Sequence, residues 1–293
     1  MLLVVAAALL FSRLPIPPTY AGRTVENAGH LPVFLLVTLG LLTVLRVDYR
    51  IEGARLYALA GLIGAGLGFA SEVIQRPLAR DASWGDVFQD TIGVVCALAL
   101  YALFERRSAV TRPRRIAAFV VALVCIAVYV APLVRMAHAY VQRNAQFPVL
   151  VDFRSSVEPV WIRGYGINRH IDRGALEVDF SADGNPGVSV REPFPDWRRF
   201  KFVVIDVENP DAARFYLGVR VHDRGHGQAF GDRFNRTFEL AAGERRTLRI
   251  ALEDVRHGPR GRLMDMGHIM DITLFRESNK GSRRLRVYSM QLE

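Results

Sequence analysis

The chain holds only two cysteines, Cys96 and Cys125, and both sit inside apolar segments. Two are too few for a disulfide framework or a zinc site, so they read as small buried hydrophobes. There is no G-x-S-x-G, no P-loop and no H-E-x-x-H, and so no motif-borne catalysis, cofactor or metal is expected. The apolar stretch Leu2–Phe11 is short and lacks the basic n-region and small-residue cleavage site of a secretory signal. Either the chain starts late or this is a short uncleaved first span, and the span is the expectation taken. No internal repeat is evident. The C-terminal half, 148–293, has neither a cysteine nor a long apolar run.

What is present is unevenly spread. At 293 residues there is room for about two domains. Hydrophobic residues are 51% of the chain, and nearly all long apolar runs lie in 1–145. The net charge of +9 divides into 14 basic and 8 acidic residues in 1–145 (+6) and 24 basic and 21 acidic in 148–293 (+3). Much of the basic excess flanks apolar segments, where it sets membrane orientation, so a lipid bilayer and not nucleic acid is the expected partner. Leu31–Leu45, Ala54–Val73, Val87–Phe104 and Ile116–Val134 approach the roughly 20 apolar residues that cross a bilayer. With Leu2–Phe11 they predict about five transmembrane helices. The five arginines 106, 107, 112, 114 and 115 in one short loop predict a cytoplasmic N-terminus and an outward-facing chain after the last span. The expected divisions are a membrane domain at 1–110, a fifth helix at 111–138, a linker at 139–147 and an outer domain at 148–293. Gly61, Gly64, Gly66 and Gly68 offer small helix faces for packing within the bundle or for dimerisation, and the oligomeric state is left open.

Between the third and fourth expected spans, residues 71–93 read S-E-V-I-Q-R-P-L-A-R-D-A-S-W-G-D-V-F-Q-D-T-I-G. Ionisable side chains near a membrane interior are costly and suggest function. Glu72 and Gln75 share one helix face, and Asp86 and Asp90 share another. A hairpin through Pro77 would bring these faces together around Arg80 and Ser83, with His30 joining if the second span packs alongside. Three roles stay open: a structural clamp, a headgroup or ligand site, and acid–base catalysis by Glu72 and Asp86.

The same stretch resembles the signature of the VanZ-like membrane protein family: Glu and Gln three apart, an Arg, A-S-x-x-D, then Asn-Thr-x-Gly. Glu72, Gln75, Arg80, Ala82, Ser83, Asp86, Thr91 and Gly93 fit it, while Ser71 and Asp90 stand where the family has Asp and Asn. Glu26 and His30 match the family's acidic-x-x-x-His segment. The resemblance covers roughly the first third of the chain and implies a bacterial envelope protein.

From Val149 onward the pattern has period two. Phe215, Leu217, Val219 and Val221 alternate with Tyr216, Gly218, Arg220 and His222. About ten such runs between turn residues predict an all-β sandwich. D-W-R-R-F-K-F-V-V-I-D-V-E-N-P (196–210) and the run 221–244 resemble jelly-roll carbohydrate-binding modules, with Trp197, Phe200, Asp206, Asn209, Asp223, Asp232, Arg233, Phe234 and Asn235 in the matching places. The resemblance implies binding of an envelope polysaccharide or glycolipid, in cell-wall or exopolysaccharide handling or glycopeptide tolerance. Alternatives are an enzyme acting on a lipid-linked precursor through Glu72 and Asp86, and a protein-binding adaptor. Sugar sites need aromatic plates and convergent polar groups. Trp161, Tyr165, Trp197 and Tyr216 are the available plates, and Asp223, His226, Asp232, Arg233 and Asn235 the polar candidates. Trp197 in the core, with Asp223, Asp232 and Arg233 pinning their loop, is the structural alternative. Trp197, Tyr216 and the 223–235 set are taken as the ligand candidates.

Overall fold

The computed structural model describes residues 19–75, 84–105, 111–154, 158–180, 186–227, 229–277 and 281–293. Leu2–Phe11, Arg80 and Ser83 lie outside them, as does the side chain of Gln75. The chain forms two compact units, meeting between Ala137 and His138.

The first unit is helical: α1 (Tyr20–Ala28), α2 (His30–Val47), α3 (Ala54–Gln75), α4 (Trp84–Phe104) and most of α5 (Arg112–Gln146). Tyr20–Val47, Ala54–Ile74, Gly85–Phe104 and Arg112–Gln146 are long and apolar enough to cross a membrane. Leu42, Leu56 and Ala60 form a core among α2, α3 and α4, joined by Leu98 and Tyr101. Glycines permit the close approach. A Cβ on Gly64 would lie 3.0 Å from Thr38 Oγ1 and 3.1 Å from Val94 Cγ2, and one on Gly68 3.0 Å from the Asp90 Cβ. Gly93 answers from α4, where a Cβ would come within 2.6 Å of the Leu31 carbonyl oxygen. Gly66, on another side of α3, meets nothing within 4 Å. The G-x-x-x-G of α3 is therefore used inside the bundle.

Residues 139–147, expected as a linker, are helical as far as Gln146 and belong to the second unit. Tyr140 donates a 2.7 Å hydrogen bond to the Glu192 carboxylate, and the Arg143 guanidinium stacks 4.4 Å from the Trp161 ring centre. An aromatic and a cation with such partners end the helix as a packed element.

The second unit is a sandwich of two antiparallel sheets. The strands are β1 (Val149–Val151), β2 (Ile162–Tyr165), β3 (Asn168–Asp172), β4 (Ala175–Asp179), β5 (Gly187–Arg191), β6 (Phe202–Glu208), β7 (Phe215–Asp223), β8 (Phe234–Leu240), β9 (Arg245–Ala251), β10 (Ile269–Arg276) and β11 (Arg284–Leu292). One sheet runs β3-β4-β11-β6-β9, with β1 on β11, and the other runs β2-β5-β10-β7-β8. Strand alternation sends Val188, Val190, Leu217, Val219, Val221, Ile272 and Leu274 inward from the five-stranded sheet, against Val203, Ile205, Val207, Leu285 and Val287 of the other. A short helix α6 (Leu252–Arg256) follows β9 and buries Leu252 and Val255.

Candidate functional site

The same alternation turns a second set of residues outward on the five-stranded sheet. Register aligns them in rungs across the strands. The first rung reads Tyr165, Gly187, Phe275, Gly218 and Thr237. Its two glycines leave room for rings to lie down on the sheet. A Cβ on Gly218 would overlap the Phe275 ring, and one on Gly187 would sit 2.9 Å from Tyr165 Cε2. Tyr165 is 41% exposed, so the rung forms an aromatic strip on the surface.

The second rung reads Arg163, Ser189, Thr273, Arg220 and Asn235. Arg220 donates from Nε to Asn235 Oδ1 at 3.2 Å, and its guanidinium lies 4.7 Å from the Phe275 ring centre. Tyr165 Oη and Ser189 Oγ are 3.2 Å apart, tying this rung to the first.

The third rung reads Arg191, Asp271 and His222. Burial pushes the Asp271 carboxyl up to about 6, against the pull of its Thr273 and Ser189 hydrogen bonds and of Arg191 and Arg220. Burial, then His226, Arg220 and Arg233, push the His222 imidazole down to about 4. Arg233 precedes β8 and stacks 4.9 Å from the ring centre of Phe230, itself 68% exposed. Burial lowers the guanidinium pKa of both Arg220 and Arg233; Arg220 lowers Arg233 further, and both arginines lower His222.

The outward face of the six-stranded sheet is different in kind. His170 pairs with Glu177 at 3.1 Å, Arg286 with Glu177 at 2.5 Å and with Glu208 at 3.4 Å, and Arg245 with Asp206 at 2.6 Å. Tyr288 donates to Glu208, and Arg245 stacks on its ring. Charges there neutralise one another. On the five-stranded sheet arginines outnumber carboxylates across the second and third rungs.

The sequence-derived ligand candidates divide. Trp197 is wholly buried and donates from Nε1 to the carbonyls of Pro193 at 2.9 Å and Phe194 at 2.7 Å, so it offers no plate to a sugar. Trp161 is likewise buried. Tyr216 faces outward opposite Glu239, on the same face as the rungs. Asp223 is 1% exposed and holds Arg262 through two bonds of 2.7 and 2.8 Å, plus the Asp265 N–H at 2.7 Å. Burial alone would raise its pKa, but these donors hold it below the usual carboxylate range. Asp232 accepts from Arg262 Nε at 2.5 Å and from the Gly227 N–H at 2.6 Å, and its carbonyl accepts from His226 Nδ1 at 2.8 Å. Asp223, His226 and Asp232 thus pin a loop around Arg262, a hub absent from the sequence-stated set. Asn235 is part of the second rung, and Arg233 borders the third. Arg220, His222, Asp271 and Phe275 were missing from the candidates, although Arg220 and His222 stood in the alternating run.

In the helical unit, α2 and α4 bring His30 Nδ1 within 2.9 Å of Asp90 Oδ1. Asp90 and Glu72 are 1% and 4% exposed. Ligand atoms of His30, Glu72 and Asp90 lie within 4.8 Å of one another, a set able to hold a cation. Asp86 is half-buried nearby, and Glu26 is exposed. Toward the opposite ends of these helices, Arg46 pairs with Glu105 at 3.1 Å and donates to Tyr101 Oη at 2.6 Å, while Tyr57 donates to Glu105 at 2.8 Å.

No family model matches the chain, and no curated protein matches it. Solved structures similar to it cover its β-rich half. A family 11 carbohydrate-binding module from Clostridium thermocellum, in complex with a β-1,3-1,4-mixed-linked tetrasaccharide, is 18% identical over 49% of this chain and 93% of its own, with a TM-score of 0.40. A family 29 carbohydrate-binding module mutant is 14% identical over 50% of this chain and 89% of its own, at 0.35. An exo-β-agarase is 15% identical over 50% of this chain and 24% of its own, at 0.40. Likeness at this level decides neither ligand nor mechanism.

Proposed function

We propose that this is a bacterial inner-membrane protein whose outer β-sandwich binds an envelope glycan on the outward face of its five-stranded sheet. The observation that carries the reading is the aromatic strip of Tyr165 and Phe275, laid flat over Gly187 and Gly218 beside a rung of hydrogen-bonding side chains. Pyranose rings stack on such strips through their C–H faces, while hydroxyls take the adjoining polar groups. Binding at an open face is weak, because each hydroxyl gives up water for a replacement bond. Tethering at a membrane would compensate by raising the local concentration.

The four apolar helices and the VanZ-like residues support the membrane setting. With the N-terminus cytoplasmic, phosphatase fused after residue 145 is active and after residue 110 inactive. The buried His30–Asp90–Glu72 cluster favours a second reading, chemistry or headgroup binding inside the bilayer. In that case Glu72→Gln keeps normal abundance but loses the protein's phenotype.

The glycan reading is tested by affinity electrophoresis of the detergent-solubilised chain through gels containing envelope polysaccharides. At least one polymer retards the chain, and Tyr165→Ala or Phe275→Ala weakens binding roughly tenfold, as loss of one stacked ring should. A folded chain that ignores the whole panel contradicts the reading and favours an adaptor that binds protein.

A further inference from the structure

We infer that the saccharide is anionic, its acidic substituent held by the arginines of the second and third rungs while the sugar ring stacks on the first. This rests on the glycan-binding reading and names the class of its ligand.

Among the described residues, Arg163, Arg191, Arg220 and Arg233 gather on and beside these rungs, with Asp271 as the carboxylate on the rungs and Glu277 also within electrostatic reach of Arg220. Asp271 is itself held toward its neutral form by burial. A neutral sugar is met by side chains that both donate and accept, because each hydroxyl does both. Guanidinium donates only, in a planar fork that fits carboxylate, sulfate or phosphate oxygens. Arg220 and Arg233 lie close enough to lower the Arg233 pKa, and both depress His222. Like charges crowded in this way destabilise the unliganded face, and a bound anion relieves them. On the six-stranded sheet Arg286 is paired with Glu177 and Glu208, and Arg245 with Asp206.

Geometry adds direction. Arg220 touches Phe275 on one side and Asn235 on the other, so a ring seated on the strip lies beside its guanidinium. The opposite border of the strip carries Tyr216, Glu239 and Glu277, with Glu239 paired to Arg214 at 2.7 Å. The acidic substituent is therefore directed toward Arg220 and Arg233.

The test uses the full chain in detergent and three pairs of polymers that share a backbone and differ in charge. These are polygalacturonate and its carboxyl-reduced form, alginate and its carboxyl-reduced form, and cello-oligosaccharides with and without sulfate. The acidic member of at least one pair binds roughly tenfold more tightly than its neutral partner, the scale of one charge-assisted bond. Arg220→Gln/Arg233→Gln abolishes that preference. Arg173→Gln/Arg256→Gln, an equal charge change at exposed positions off this face, preserves it. Equal affinity within every pair overturns the inference and leaves the glycan reading standing. A preference lost equally in both double variants also overturns it, since net charge alone would then explain it. Failure to bind any of the six polymers removes the glycan reading and this inference together.

Discussion

Asp271 lies between Arg191 of β5 and His222 of β7, with Arg220 of β7, Thr273 and Ser189 close by. Its folded pKa of about 6 stands above the ordinary 3.8, so folding favours the neutral acid. The stabilisation from this group is complete below the ordinary value and is lost as pH rises through about 6. Asp271→Asn, which keeps the shape without the charge, is expected to raise Tm relative to the parent at about pH 8 and to leave it unchanged at about pH 3.5. Thermal unfolding at the two pH values checks this, and equal differences at both would contradict the assigned titration. Other residues of the site show why single positions were hard to read from sequence. Asp223 lies in a motif-like run, but its partner Arg262 is 39 residues away, and no local pattern discloses a pairing at that range. Trp197 carries the chemistry of a sugar plate, yet its burial depends on strands contributed by the whole sandwich.

Helices and strands were legible as elements because each writes its own period into the chain. Apolar runs of near-bilayer length marked α2 to α5, and period two marked the strands. The partners of those elements were not written locally. Strand order β2-β5-β10-β7-β8 lines Tyr165 up with Gly218 across two intervening strands, through non-consecutive neighbours, so the aromatic strip exists only in the folded sheet. His30 and Asp90 are 60 residues apart and meet because glycines let α2, α3 and α4 come close. That closeness makes a prediction at the level of the helix pair. A methyl at Gly93 meets the Leu31 carbonyl, which belongs to backbone and cannot swing aside, whereas a methyl at Gly66 meets open space. Gly93→Ala is expected to destabilise the bundle by about 1–3 kcal/mol, while Gly66→Ala is neutral or slightly stabilising through helix propensity. Folded yield and Tm in detergent separate the two variants, and equal behaviour would contradict the packing described.

For the whole molecule, the two units have different polarity plans. The helical unit places one polar cluster at His30, Glu72 and Asp90 and another at Arg46, Tyr57, Tyr101 and Glu105. Sixteen residues of α2 separate His30 from Arg46, which is about 24 Å at helical rise. Between the clusters the helices meet through glycine and aliphatic contacts, a spacing suited to a hydrocarbon layer of about 30 Å. The sandwich instead divides its charge between two faces, self-neutralised on one sheet and rich in arginine on the other. The proposed function depends on the second face being where the ligand lies. Backbone amide shifts of isotope-labelled protein, titrated with an oligosaccharide cut from a retarding polymer, locate the ligand most directly. The account predicts shifts concentrated at Tyr165, Ser189, Arg220, His222, Thr273 and Phe275, with the Glu177–Arg286–Glu208 face undisturbed. Shifts centred on that six-stranded face, or on the Arg262 loop with the rungs silent, would contradict it.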